Sequence, residues 1–147
     1  MANTYDVIMI GAGPSGSVAA YVATRLGLRV LLLDRFRFPR IKPCGGGLTQ
    51  KSVALLRSLG IELNGVIRSV CKRVVVVNSA GSFLITDDEP IISVVSRDEF
   101  DNYLLSNALE MGAEYAVDRV VRVDVRGDYV NVTGMNDTYV GRYVIAA

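Results

Sequence analysis

The residues of this chain whose types and spacing point most directly to chemistry are three glycines and an aspartate. Gly11, Gly13 and Gly16 follow the apolar run Val7-Ile8-Met9-Ile10, and a helical stretch follows them. In such a strand-turn-helix each glycine has its own task. Gly11 allows the tight turn, Gly13 removes the side chain that would block a pyrophosphate, and Gly16 lets helix and strand pack closely. The free N–H groups at the start of the helix, where Pro14, Ser15 and Gly16 stand, face the phosphates with the helix dipole behind them. Pro14 costs little there, because an N–H in the first turn has no intrahelical partner. The next apolar run, Arg29-Val30-Leu31-Leu32-Leu33, ends in Asp34, 23 residues after Gly11. An acid at that distance lies where the adenosine ribose of a dinucleotide would sit. A glycine pattern alone is weak. With a strand before it, a helix after it and the acid at the end of the second strand, it reads as a dinucleotide site rather than an unliganded turn.

Asp34 also narrows the ligand. A carboxylate would repel a 2′-phosphate, which argues against NADP, while FAD and NAD both present a free ribose diol. The loop after Asp34 runs Arg35-Phe36-Arg37-Phe38-Pro39-Arg40-Ile41-Lys42-Pro43-Cys44-Gly45-Gly46-Gly47-Leu48. It carries four cations and three consecutive glycines, and a helical pattern over residues 49–59 follows it. A second glycine-rich segment feeding a helix suits a cofactor that needs close backbone approach at more than one polar region. The cations Arg35, Arg37, Arg40 and Lys42 read equally well as a solvated loop or as an attraction for phosphate near the site.

Taken together, Gly11-x-Gly13-Pro14-x-Gly16, Asp34, Lys42-Pro43-Cys44-Gly45-Gly46-Gly47-Leu48 and Ser96-Arg97-Asp98-Glu99-Phe100-Asp101 resemble the geranylgeranyl reductase family. These are FAD-dependent flavoproteins related to the aromatic hydroxylase fold. The first motif is common to many flavoproteins; the Pro-Cys-Gly-Gly loop and the arginine before a Phe-Asp pair make the match specific. The resemblance covers essentially the whole chain, but only the amino-terminal part of such a protein. It implies an α/β fold: a Rossmann-like FAD-binding domain over residues 1–147, with a parallel sheet, crossover helices and an inserted β-meander. The chain is then expected to be incomplete, the remaining FAD-contacting and substrate-binding parts lying outside it.

The resemblance further implies FAD contacts by Gly11, Gly13, Pro14, Ser15, Gly16, Asp34, Arg35, Cys44, Gly45, Gly46, Gly47 and Arg97, with the backbone of Val120 beside the adenine. It implies reduction of carbon–carbon double bonds in an isoprenoid or prenyl-lipid substrate. The reductant would be NAD(P)H or a ferredoxin-type donor, and peripheral membrane contact would run through the missing regions. A flavin monooxygenase of the same fold and a non-catalytic dinucleotide-binding fragment are the competing readings. An NAD-dependent dehydrogenase is disfavoured by the second glycine loop. No residue is assigned to catalysis. Cys44 fits cofactor contact better than thiolate redox chemistry, and a small residue tolerated in a tight loop nearly as well. Arg97 opens a helix, where a cation opposes the dipole, so a compensating partner is expected, either the cofactor or Asp98 or Asp101.

Composition excludes other classes. At 147 residues, half of them apolar, the chain can bury a real core, and a net charge of +1 gives no footprint for nucleic acid. There is no histidine, and the two cysteines, Cys44 and Cys71, are 27 apart, so no cysteine-built metal site is expected and a reducing, cytoplasmic setting fits. Residues 7–24 carry no charge, but Asp6 borders them and Gly-Ala-Gly-Pro interrupts them, against a signal or membrane segment. Cys71, in a valine-rich stretch, reads as core, and the scattered tyrosines read as packing.

The expected order is strand 5–10, helix 14–26, strand 29–33, glycine loop and helix 49–59. Two β-rich stretches, 66–77 and 83–86, and a strand 91–95 follow. A helix 97–111 comes next, with Ser96 and Glu99 at capping-box spacing and Phe100, Leu104, Ala108 and Met111 on its apolar face. Strands over 114–117, 119–125, 129–133 and 138–145 complete the chain, and Tyr143–Ala147 read as a buried parallel strand.

Overall fold

The apolar run that enters the glycine turn becomes a central strand of a six-stranded sheet. The computed structural model describes residues 4–147. Its elements are β1 (Thr4–Ile10), α1 (Pro14–Arg25), β2 (Val30–Asp34), β3 (Gly47–Thr49), α2 (Gln50–Ser58), β4 (Ile67–Cys71), β5 (Arg73–Asn78), β6 (Gly81–Thr86), β7 (Ile92–Val95), α3 (Arg97–Glu110), β8 (Glu114–Val117), β9 (Val120–Arg126), β10 (Tyr129–Gly134) and β11 (Thr138–Ala146). Contacts divide the chain into two compact units, Met1–Arg40 with Asp101–Ala147, and Ile41–Phe100.

In the first unit the strand order is β8-β2-β1-β11-β10-β9. β8, β2, β1 and β11 run parallel, and β9, β10 and β11 form an antiparallel meander that ends on β1. This is the Rossmann-like arrangement with an inserted meander that the sequence implies. Leu31 and Leu33 alternate along β2, and Val130 and Val132 along β10; with Tyr5 and Ile8 of β1 they form one buried cluster. Each such side chain withdrawn from water contributes roughly 1.5–3 kcal/mol. α1 makes the crossover between β1 and β2, and its small residues Gly16, Ser17 and Ala20 are buried. Small residues on that stripe let the helix lie close to the strands.

Asp118, only 3% exposed, locks the meander to the parallel strands. Its own N–H donates to the carbonyl of Asp34 at 2.8 Å. Its carboxylate accepts from the backbone N–H groups of Met135, Asn136 and Asp137 and from the Tyr139 hydroxyl at 3.1 Å. Burial by itself would raise this carboxyl's pKa, but the Asn136, Tyr139, Met135 and Asp137 hydrogen bonds together hold it below the usual carboxylate range. The stabilisation is therefore complete above the unfolded value of about 3.9 and is lost as pH falls through the lowered folded value. Asp118→Ala is expected to cost roughly 3 kcal/mol at pH 7, because several backbone donors lose their acceptor. In urea unfolding the gap between variant and parent should shrink at pH 3; a gap that is independent of pH would deny the carboxylate this role.

In the second unit β3, β7 and β4 form an antiparallel sheet, β5 and β6 form a separate hairpin, and Thr49 caps α2 by accepting the Ser52 N–H at 3.3 Å. Val53, Leu56, Ile61 and Leu63 are buried there.

Several expectations are corrected. The stretch 66–77 is not continuous: it breaks at Lys72 into β4 and β5, which join different sheets. Thr49 begins no helix; it ends the three-residue strand β3. Met111 lies beyond α3 and is 45% exposed, whereas Phe100, Leu104, Leu105 and Ala108 are buried. The Ser96 hydroxyl donates to Asp98, and Glu99 is taken up by an ion pair with Arg68, so the capping-box residues serve other contacts. Cys71 is half-buried rather than core. Tyr143 and Ile145 are exposed on β11, beside Val7 and Met9 in register, because α1 covers β1 and β2 and not the next strand. Tyr129 is exposed as well.

Candidate functional site

In the first unit the three glycines of the turn are distinguished by what surrounds them. Gly11 has φ +107°, and a Cβ there would lie 2.2 Å from the carbonyl oxygen of Ala147. A Cβ on Gly16 would lie 1.8 Å from the carbonyl oxygen of Gly11. Both glycines are demanded by the fold. Gly13 is not: its backbone is extended, and a Cβ would meet only Arg40 Nη2, at 3.7 Å. The fold thus leaves open the one glycine face that a diphosphate needs.

Gly13 is the N-cap of α1 and supplies no side-chain cap, and Pro14 follows it. The Ser17 N–H makes the first intrahelical bond, to the Gly13 carbonyl, so the N–H groups of Ser15 and Gly16 have no acceptor within the helix. The first turn contains no acidic residue, which keeps the positive end of the dipole available to an anion. The Ser17 hydroxyl, fully buried, donates to the Ala12 carbonyl at 2.9 Å and stiffens the turn.

Asp34 stands beside this turn. Its Oδ2 accepts the Ala12 N–H at 2.9 Å and its Oδ1 the Phe36 N–H at 2.9 Å. Each carboxylate oxygen retains capacity for a second donor such as a hydroxyl. The Tyr115 hydroxyl donates to the Phe36 carbonyl at 2.6 Å, and burial, then the Asp34 charge, push its pKa up to about 12. It therefore remains a donor throughout the physiological range.

A cleft of about 420 Å³ opens next to Asp34, lined by Arg35, Phe36, Val117, Asp118, Arg119, Met135 and Asn136. The guanidinium of Arg35 lies over the Phe36 ring, 4.8 Å from its centroid. Of the cleft's residues only Arg35 was legible as a candidate. Gly134-Met135-Asn136-Asp137 reads as a turn from its residue types and Asp118 carries no signal, and nothing in the sequence brings either beside Arg35. Val120 does not line the cleft; its side chain packs against the core cluster.

The second unit holds the other candidates. Cys44 is exposed, and its Sγ accepts the Gly46 N–H at 3.5 Å. Gly46 has φ +67°, and a Cβ there would lie 2.0 Å from the Val95 carbonyl oxygen, so this glycine is required by the approach of β7. Gly45 faces open space and Gly47 begins β3. Arg97 is half-buried at the start of α3. The cations of the loop also separate: Arg35, Arg37 and Lys42 are exposed, while Arg40 is withdrawn from water and ion-paired with Asp101. Among the described residues no helix is long and apolar enough to cross a membrane.

The fit to a dinucleotide diphosphate rests on the open Gly13 face, the two N–H groups without an acceptor in the helix, and the half-buried Arg40 cation that borders Gly13. Comparison with known proteins agrees. The family described as "FAD binding domain" matches residues 4–147. A geranylgeranyl diphosphate reductase of Rhodobacter capsulatus is 32% identical over 121 residues, covering 82% of this chain and 29% of that protein. A menaquinone reductase of Mycobacterium tuberculosis is 55% identical over 59 residues, covering 40% of this chain and 14% of that one. The crystal structure of a geranylgeranyl bacteriochlorophyll reductase-like protein of Thermoplasma acidophilum superposes with a TM-score of 0.84 at 24% identity, covering all of this chain and 40% of that one. A flavin-dependent brominase superposes with a TM-score of 0.80 at 27% identity, covering 99% of this chain and 38% of that one. The chain thus spans less than half the length of each of these proteins.

Proposed function

The chain belongs to the FAD binding domain family, and we propose that it is the FAD-holding part of an oxidoreductase that reduces carbon–carbon double bonds in geranylgeranyl chains of lipids. The observation that carries this reading is the likeness to a geranylgeranyl diphosphate reductase across four-fifths of the chain. When bound, the flavin supplies hydride chemistry; the protein supplies binding, orientation and exclusion of water. In this proposal the α1 N-terminus and the Gly13 face take the diphosphate. Asp34 accepts from the ribose hydroxyls, and the cleft beside Arg35 takes the adenine. The Cys44–Gly47 loop and Arg97 are further cofactor contacts in this proposal, Cys44 by contact and not as a redox thiol. The substrate is a prenyl lipid, and the reductant NAD(P)H or a ferredoxin-type donor.

Asp34→Ala is expected to weaken FAD binding by roughly 1.5–3 kcal/mol, the worth of a hydrogen bond to a charged group. Flavin titration of the stripped protein measures it, and an unchanged affinity would remove Asp34 from the site.

A brominase on the same fold favours a second reading, a flavin enzyme of another reaction type such as a monooxygenase, since fold alone does not fix chemistry. The deciding experiment purifies the full protein, reduces it anaerobically with dithionite and adds a geranylgeranyl diphosphate or a geranylgeranyl ether lipid. Mass spectrometry should show two hydrogens gained per double bond, faster than with free flavin. Retained flavin with an unaltered prenyl chain would refute the substrate class and leave the cofactor assignment standing.

A further inference from the structure

We propose that Arg40 is the cation that holds the FAD diphosphate, and that Asp101 positions it. The inference rests on the FAD reading above and adds to it a residue that the motifs do not mark. Among the four cations of the loop after β2, Arg40 alone is drawn inward, its side chain 15% exposed. Its Nη2 lies 3.4 Å from Oδ2 of Asp101, whose side chain is fully buried. The guanidinium also rests over the Phe38 ring, 4.7 Å from the centroid.

That arrangement is poor as a stabilising device. A charge-assisted N–H···O contact is ordinarily 2.7–2.9 Å, so the pair is loose by roughly half an ångström. Nε and Nη1 of Arg40 are buried and have no hydrogen-bond partner. Burying a guanidinium with donors unsatisfied costs stability, and such a pair is often no better than apolar residues of the same size. A native protein that keeps so costly a group invites a functional explanation.

Position supplies one. Nη2 is 3.7 Å from where a Cβ on Gly13 would stand, so the cation borders the open face of the phosphate turn. The N–H groups of the α1 N-terminus offer only partial charges, whereas a diphosphate brings two full negative ones. Arg40 adds a full positive charge on a planar fork suited to phosphate oxygens. The Asp101 carboxylate and the Phe38 ring fix the guanidinium before the ligand arrives, so little side-chain freedom is lost on binding.

The competing account is a bracing ion pair, in which FAD affinity merely follows stability. The full protein, stripped of flavin, is titrated with FAD and with ADP and is melted without ligand. The double substitution Arg40→Met with Asp101→Leu removes both charges together and should leave the unfolding midpoint within a few degrees of the parent's. It should weaken FAD and ADP alike by about thirtyfold, as for losing a hydrogen bond between charged groups. Arg40→Lys, which keeps the charge and spares the fold, should weaken FAD about tenfold for want of the fork. Asp101→Asn, which keeps an acceptor for Arg40, should hold FAD more tightly than Asp101→Leu, although both remove the carboxylate charge. FAD affinity equal to the parent's in Arg40→Lys and in the double variant would overturn the proposal. So would an affinity loss that tracks the midpoint from variant to variant. Should the double variant fail to fold, Arg40→Lys decides alone. If the unaltered stripped protein takes up no FAD, the cofactor reading itself falls and this inference with it.

Discussion

Gly13→Val is expected to yield a folded protein that retains no flavin. The position tolerates a side chain as far as the protein is concerned: its backbone is extended, and the nearest atom to an added Cβ is Arg40 Nη2 at 3.7 Å, an ordinary van der Waals contact. The cost to the fold is that of a worse N-cap. Gly13 makes no side-chain cap bond, so replacing it forfeits conformational freedom rather than a contact, on the order of 1 kcal/mol or less. The cost to the ligand is far larger. A branched side chain there fills the space through which backbone N–H groups reach a pyrophosphate, and the anion would be held off by more than the width of a methyl group. A displacement of that size removes hydrogen bonds to a charged group, each worth roughly 1.5–3 kcal/mol, several at a time. The flavin-to-protein absorbance ratio of the purified variant should fall to background while its melting curve without ligand stays close to the parent's. A variant that carries the parent's flavin content would show that the diphosphate does not lie on this face.

The residues whose role depends on local geometry were legible in the sequence. An apolar run, a glycine turn and a following helix fix one another through short-range sterics, so β1, α1 and β2 fall within a residue or so of expectation. Asp34 ends β2 because the continuous apolar run ends there. The meander was legible for the same reason, with turn residues at Gly127-Asp128 and at Gly134–Asp137 separating β9, β10 and β11. What failed depended on partners distant in sequence. The valines of 66–77 have uniform β propensity, and only pairing with β7 on one side and β6 on the other divides them at Lys72. The strand β3 is three residues long and exists because β7 offers it a ladder. Arg40 reads like its neighbours Arg37 and Lys42, and Asp101, 61 positions away, is what draws it inward. The cleft beside Arg35 is likewise assembled from three separate segments.

Gly16→Val marks the other limit, a substitution next to the same ligand that should destroy the fold before it can affect binding. A Cβ at Gly16 would lie 1.8 Å from the Gly11 carbonyl oxygen, 3.0 Å from its carbonyl carbon and 3.4 Å from the Ala147 Cβ. The first of these is a backbone atom of the turn, not the end of a side chain, and it cannot swing aside. Gly11 is itself pinned by the Ala147 carbonyl and by its own N–H, which donates to the Leu33 carbonyl at 2.7 Å. Relief therefore requires α1 to move off β1 as a body, which would open the seam where Gly16, Ser17 and Ala20 are buried. Overpacking a close-fitted contact costs roughly 1–3 kcal/mol where side chains can yield, and more where the obstacle is backbone. A loss of roughly 3 kcal/mol or more is a large share of a typical domain's 5–15 kcal/mol, so the variant should be poorly soluble and should melt far below Gly13→Val. Excess FAD should not rescue it, because the helix N-terminus proposed to take the diphosphate is the part displaced. The two valine variants, three residues apart, thus separate the two demands on this turn. If Gly16→Val melts with Gly13→Val, the close packing of α1 on the turn is not what holds Gly16 in place.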